Sequence, residues 1–261
     1  MKKLCFTLIF VGLFLSNAYG EANSPTKQNN LGVIIYKADV SASAERDHIY
    51  SLLSLAIVYE NWQVKSKNKR GHNIGSVIVD NHTNKPVFWA RNSVDITHNG
   101  TQHGEVRLAT NLLNCQGFDK YLKNYTLYTT LEPCIMCTGM LSMVQIPKVV
   151  YVQKDVDYGN TQEMIKSAKY PRSYEVYSVD NVYKQSLEKG FEKYKSSVAP
   201  SVTAYLLTDE AKKIYENATK ELQNYQVKFK ENQEILEYAQ DFLKNKVKTK
   251  NNQDVLECPK L

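Results

Sequence analysis

Apolar positions in this chain fall first at helical and then at strand spacing. Ile49, Leu52, Leu53, Ala56, Tyr59 and Trp62 recur every three or four residues. They predict a helix over residues 41–63, capped by Ser41 or Ser43. Residues 65–72 form a basic turn. Residues 73–80 are a β-branched strand, 81–85 a polar turn, and 86–91 the second strand of a hairpin. After a polar loop at 92–100, Val106, Leu108, Ala109, Leu112 and Leu113 predict a helix over 102–114. Residues 125–131 read as a strand rich in Tyr and Thr, and 133–143 as a helix. Residues 148–152 form an apolar run typical of a buried strand. A short helix at 163–168 and a last strand at 174–178 complete the pattern. Alternating strands and helices predict an α/β sheet covered on both faces. In such sheets ligands bind beyond strand ends, where helix N-termini point.

The pattern changes after residue 181. The chain becomes rich in Lys, Glu, Tyr and Asn, and Ala199-Pro200 divides it into two helical parts. In the second part Tyr215, Ala218, Leu222, Tyr225, Phe229, Leu236, Ala239 and Leu243 form one apolar stripe, interrupted only by Asn232. The expectation is a helical extension packed on the chain's own domain. A partner-binding or homodimer-forming helix is the alternative.

The first twenty residues read as an export signal. Lys2 and Lys3 precede an apolar run over residues 4–15, and Ala18-Tyr19-Gly20 offers small residues for cleavage. That run falls short of the ~20 residues of a membrane span. The expected organisation is therefore a signal at 1–20, a lead-in at 21–40, an α/β domain at 41–180 and a helical extension at 181–261. The mature protein would be periplasmic or secreted, with no membrane segment. The net charge of +6 falls to +4 without Lys2 and Lys3, which does not by itself argue for nucleic acid.

Two stretches carry chemistry. Residues 101–105 hold His103 and, two positions on, Glu105. Residues 131–137 hold Pro133, Cys134 and Cys137. A catalytic zinc takes about three protein ligands and keeps one position open. His103, Cys134 and Cys137 supply three. Cysteines three apart on a helix share a face. Pro133 suits the first helical position, where its missing N–H costs nothing. A helix N-terminus also favours the thiolate form that binds metal. Glu105 is left over to move a proton. A redox pair is a competing reading of C-x-x-C. So is a closed Cys2His2 site using His98, but that would leave Glu105 without a role. In an exported protein Cys115 and Cys258 are the remaining pair able to bridge, and unpaired buried thiols are the expectation for them.

Residues 41–168 resemble the cytidine and deoxycytidylate deaminase superfamily. They look closest to the branch holding guanine deaminases, cytosine deaminases and tRNA adenosine deaminases. The resembling stretches are residues 75–80, 90–92, 103–105 and 129–140. The resemblance implies a three-layer α/β/α fold with a mixed sheet of about five strands, Zn2+ as cofactor, and hydrolytic release of ammonia from a nucleobase ring. By position it implies zinc on His103, Cys134 and Cys137, and proton transfer by Glu105. Asn92 would hold the base or sugar, and the backbone near Gly104, Pro133 and Cys134 would meet the polar edge of the ring. The implied substrate is a free base, nucleoside or nucleotide. Nucleic acid in another cell and a non-catalytic zinc-binding module are the alternatives. Two departures stand out. Gly104 replaces the family's usual Ala, and Asn73-Ile74 replaces the usual aromatic. Export argues against tRNA, which is cytoplasmic.

Overall fold

The computed structural model describes residues 41–67, 69–160, 163–165, 174–196 and 201–259. The expected signal, the lead-in and the break at Ala199-Pro200 lie outside these residues. So does part of the short helix expected at 163–168, of which 163–165 is helical.

The elements follow in the order α1 (Ala42–Tyr59), β1 (Gly75–Asp80), β2 (Pro86–Arg91), α2 (Gly104–Leu113), β3 (Tyr125–Leu131), α3 (Ile135–Met143), β4 (Lys148–Gln153) and β5 (Glu175–Ser178). The five strands form one mixed sheet in the order β2-β1-β3-β4-β5. Its first two pairings are antiparallel and its last two parallel. This is the three-layer α/β/α arrangement expected from the sequence. Side-chain alternation builds both faces. Val77, Val79, Tyr128, Val150 and Val152 point into a core shared with α1. Ile78, Leu127, Val149 and Tyr151 point into a second core with Leu108, Leu112 and Leu141 of α2 and α3.

Helix α1 starts where Ser41 Oγ accepts the Ala44 N–H, at 3.1 Å. Its apolar residues are wider than one stripe, since Leu55, Ile57 and Val58 are as buried as Leu52 and Leu53. A helix apolar all round must be covered all round. Four helices follow the sheet, α4 (Val182–Lys195), α5 (Val202–Tyr205), α6 (Asp209–Asn224) and α7 (Gln233–Lys246), and the cover on α1 comes from α6 and α7. Tyr215, Ala218 and Leu222 of α6 and Leu236 and Ala239 of α7 join the α1 core. The Trp62 ring meets Tyr215 edge-on, with centroids 5.1 Å apart.

The continuous stripe expected through residues 215–243 is interrupted. Helix α6 ends at Asn224, Tyr225 is extended, and a single 3-10 turn at Lys230–Asn232 leads into α7. Glu45 of α1 stabilises this break. Its buried carboxylate accepts the backbone N–H groups of Lys228 (2.6 Å) and Phe229 (3.1 Å), the Asn232 amide (2.8 Å) and the Tyr225 hydroxyl (3.2 Å). Burial alone would raise its pKa. The hydrogen bonds from Lys228, Asn232, Phe229 and Tyr225 outweigh burial and hold it below the usual carboxylate value. A lowered native pKa contributes stability at neutral pH that is lost as pH falls through it. Glu45→Gln should therefore lower stability at pH 7 by about 1–3 kcal/mol for the donors left short of an acceptor, read as a lower urea midpoint with little change in slope. That difference should shrink as pH falls from the ordinary carboxyl value of the unfolded chain, about 4, to the lower native one, where the folded carboxyl is protonated too.

The cysteine expectation is corrected. Cys115 and Cys258 form a disulfide, with Cα atoms 5.6 Å apart. After α7 the chain forms a two-strand hairpin, β6 (Thr249–Lys250) and β7 (Gln253–Asp254). Asp254 bonds to Arg91 at the end of β2 and to Arg107 of α2, which brings residue 258 to the far end of α2. Among the described residues no helix is long and apolar enough to cross a membrane.

Candidate active site

Two helix N-termini carry the three candidate ligands. His103 is the N-cap of α2 and Cys134 the N-cap of α3; both are extended, and neither side chain caps its own helix. Both side chains are thus free to turn toward one another. Pro133 is not the first helical residue, as its spacing suggested, but precedes the cap. The helix begins one residue later because Cys134 keeps extended backbone angles.

His103, Cys134 and Cys137 are the group of metal-ligating side chains that the fold brings together among the described residues, with donor atoms within 4.8 Å of one another. The two sulfurs are 3.7 Å apart, and His103 Nδ1 lies 3.6 Å from Cys134 and 3.5 Å from Cys137. Tetrahedral zinc with ordinary bonds asks for about 3.8 Å between sulfurs and about 3.6 Å from sulfur to nitrogen. The donor set fits zinc in both chemistry and spacing. His98 is exposed and lies outside this group, which disfavours the closed Cys2His2 arrangement.

The charge states match the geometry. The Cys134 thiol is pulled down to about 4, first by the hydrogen bond from Cys137 and, against burial, by that from His103. Cys137 moves the opposite way, through the same hydrogen bond with Cys134 and because it is buried beside Glu105. Cys134 is thus the readier of the two to take the thiolate form. The Cys134 bond raises His103 above its ordinary value despite burial. Metal uptake must release the remaining protons.

Glu105 lies in the first turn of α2 and is 3% exposed. Its Oε2 stands 3.6 Å from Cys137 Sγ, and its Oε1 accepts from the Thr129 hydroxyl at 3.0 Å. Thr129 in turn accepts from Ser76, at 3.1 Å, across the β1–β3 pairing. Burial, the largest influence, raises the Glu105 pKa, against its own backbone N–H, His103 and Thr129. The result is a carboxyl held in one orientation and able to carry a proton. Neither Ser76 nor Thr129 was among the site residues expected from the sequence. Their face of the sheet was legible only through the alternation that also turns Ile78 and Leu127 toward α2.

Asn92 is 1% exposed. Its Oδ1 accepts from the backbone of His72 (3.0 Å) and Val94 (3.3 Å), the work of a turn residue. Its Nδ2 is buried without a partner. The same turn is tied to the metal cluster's helix, since Ser93 N–H donates to Gln102 O at 2.9 Å. Gly104 is buried so closely that a Cβ there would lie 3.1 Å from Ala90 O and 3.3 Å from Gly75 Cα. As the first helical residue it has a backbone N–H with no partner within the helix. Pro133 is buried, and its carbonyl accepts from Thr138 Oγ1 at 3.3 Å.

Asp155, in the loop after β4, is a further acid near Cys134 and His103. Burial, first, raises its pKa, although the Tyr158 and Asp157 N–H groups oppose the rise. Glu132 shapes this loop by accepting from Asp155 N (3.3 Å) and Asn160 N (3.1 Å). A Cβ at Gly159 would collide with the Glu132 carboxylate, so the loop closes only with glycine there.

Residues 51–153 match the family described as the cytidine and deoxycytidylate deaminase zinc-binding region. This stretch is similar to the zinc-binding region of those deaminases. The chain is 34% identical over 100 residues to tRNA-specific adenosine deaminase 2 of Xenopus tropicalis, covering 36% of this chain and 58% of the relative. It is 37% identical over 97 residues to the tRNA-specific adenosine deaminase of Buchnera aphidicola, covering 35% and 53%. The chain thus spans little more than half the length of these relatives. The solved guanine deaminase of Bacillus subtilis is 20% identical, with a TM-score of 0.37 over 57% of this chain and 93% of that one.

Proposed function

We propose that this protein is a zinc-dependent hydrolytic deaminase acting on a free nucleobase, nucleoside or nucleotide. The observation that carries the reading is the His103–Cys134–Cys137 cluster with the buried Glu105 carboxyl 3.6 Å from Cys137 Sγ. When bound, zinc supplies a Lewis acid that makes water a nucleophile near neutral pH. Glu105 takes the proton of the attacking water and gives it to the departing amino group, so water is consumed and ammonia leaves. Thr129 fixes the carboxyl that does this. The unpaired Asn92 Nδ2 is a donor for a ring or sugar acceptor. The N–H of Gly104, which has no partner within its helix, and the backbone at Pro133 suit the polar edge of the ring.

The proposal includes export. The basic start, the apolar run over 4–15 and the small residues at 18–20 support it, as does the Cys115–Cys258 disulfide, since such bonds persist in oxidising compartments. A nucleic-acid substrate is the second reading, favoured by the tRNA-specific names of the relatives.

The test is ammonia release by zinc-loaded protein from cytosine, guanine, adenine, their nucleosides and nucleotides, with single-stranded RNA and DNA alongside. Release from a small molecule supports the first reading. Release from an oligonucleotide alone supports the second, and release from none removes both. On the productive substrate Asn92→Ala should lower kcat/KM about tenfold to a hundredfold, the loss of one buried hydrogen bond of ~1–3 kcal/mol, at unchanged zinc content. A variant that melts early but keeps its kcat/KM would leave Asn92 a turn residue only.

A further inference from the structure

The hairpin after α7 reaches the two segments that the proposed chemistry needs in register. Asp254 Oδ2 accepts the Arg91 backbone N–H at 2.9 Å, one residue before Asn92. Its Oδ1 takes Arg91 Nη1, also at 2.9 Å. Its Oδ2 also takes Arg107 Nη1, at 3.1 Å, from the helix that His103 caps and Glu105 enters. Arg107 Nη1 then reaches back to Arg91 O, at 2.8 Å, and to Ser93 Oγ. A second arm of the hairpin ends on the same turn. Asn252 and Gln63 exchange side-chain hydrogen bonds at 3.1 and 3.2 Å, Gln63 Oε1 accepts Arg70 N–H at 2.6 Å, and Arg70 Nη1 donates to Asn92 O.

The charges make this an unusual junction. The Arg91 and Asp254 side chains are 0% exposed and that of Arg107 is 11% exposed. Arg70 is fully buried as well. Burial drives Arg70 down to about 9 and lowers Arg91 too, and in both Asp254 is the largest opposing influence. The other acid that acts on Arg91 is Glu60, at the exposed end of α1. A buried guanidinium stripped of its carboxylate cannot stay where it is without moving the chain around it. Here that chain is the Asn92 turn and the first turn of α2.

We propose that Asp254 is a positioning residue for the deaminase centre, setting the Asn92 turn against the His103–Glu105 turn, and that the Cys115–Cys258 disulfide latches its hairpin in place. The disulfide suits the task, because it joins the residue just past α2 to the segment four residues beyond Asp254. This role rests on the function proposed above, but it makes a local structural prediction that does not depend on it.

Zinc-loaded wild type, Asp254→Asn and the Cys115→Ser/Cys258→Ser pair are compared by zinc content, by kcat and KM, and by hydrogen exchange. Asp254→Asn keeps the shape and removes the charge. Zinc should remain bound, and kcat/KM should fall about 10- to 100-fold, as when a residue supporting a metal site is lost. Exchange should quicken in peptides covering 70–75 and 91–107 while those covering 50–58 and 125–131 keep wild-type protection. The paired serine variant should quicken the same peptides to a lesser degree. Unchanged kcat/KM and exchange in Asp254→Asn would overturn the proposal. So would faster exchange in all four regions, which would make Asp254 a general stabiliser. A serine pair indistinguishable from wild type would remove the latch. If wild type deaminates nothing, the functional reading fails, and the exchange pattern still decides the role of Asp254.

Discussion

Cys137→Ala will purify without zinc and without deaminase activity. Cys137 is fully buried, 3.5 Å from His103 Nδ1 and 3.7 Å from Cys134 Sγ. Alanine leaves one sulfur and one nitrogen to hold the metal. The affinity loss should exceed the ~10–100-fold cost of losing a merely supporting group. Stability changes in parallel, because a ligand that binds the folded state stabilises it, by about 4 kcal/mol at a thousand times its dissociation constant. Wild type should therefore melt lower after a chelator removes zinc, whereas Cys137→Ala should melt at the same temperature with or without chelator. Zinc affinity of the wild type should weaken as pH falls, since both sulfurs must bind as thiolates and Cys137 holds its proton firmly beside Cys134. One zinc per chain in Cys137→Ala, measured by atomic emission, would contradict the assignment of this sulfur.

The centre was legible where the chemistry forces residue type and spacing together. His103, Glu105, Cys134 and Cys137 stand within two short stretches, and any three-ligand zinc site built on two helix starts would need something similar. Strands 86–91 and 125–131 were legible because alternation and flanking turn residues agreed. Three features were not. The break between α6 and α7 has no glycine or proline to mark it; Tyr225 and Phe229 keep the apolar phase while the backbone leaves the helix. What stabilises that break is Glu45, far away in sequence, so local propensity was overruled by a tertiary contact. The Cys115–Cys258 bond spans 143 residues and depends on the path of a two-strand hairpin that has no strand pattern of its own. Ser76 and Thr129 are neutral hydroxyls whose role comes from facing one another across two strands. The apolar stripe over 215–243 was visible, and it implied packing on the chain's own domain, which α6 and α7 provide; that residues 49–58 are buried on every side was not.

Glu105→Gln will keep its zinc and lose turnover by at least the ~10²–10⁴-fold that a positioned acid–base group contributes. The substitution is a narrow one. Glutamine has the same shape, and its carbonyl can still accept from Thr129, so the first turn of α2 should not move. What it cannot do is accept a proton from water and return it to an amino group. The metal should stay because the three nearest donors, His103, Cys134 and Cys137, are untouched. Folding stability should hold or rise. Burial disfavours the charged form of Glu105, and replacing a strained functional charge by a neutral isostere commonly stabilises a protein at the expense of activity. The expected outcome is thus one zinc per chain, a melting temperature at or above that of wild type, and kcat near background with KM little changed. Loss of zinc would make Glu105 a ligand. Full turnover would place the proton transfer elsewhere, and Asp155, the other buried acid near Cys134, would be the next residue to replace.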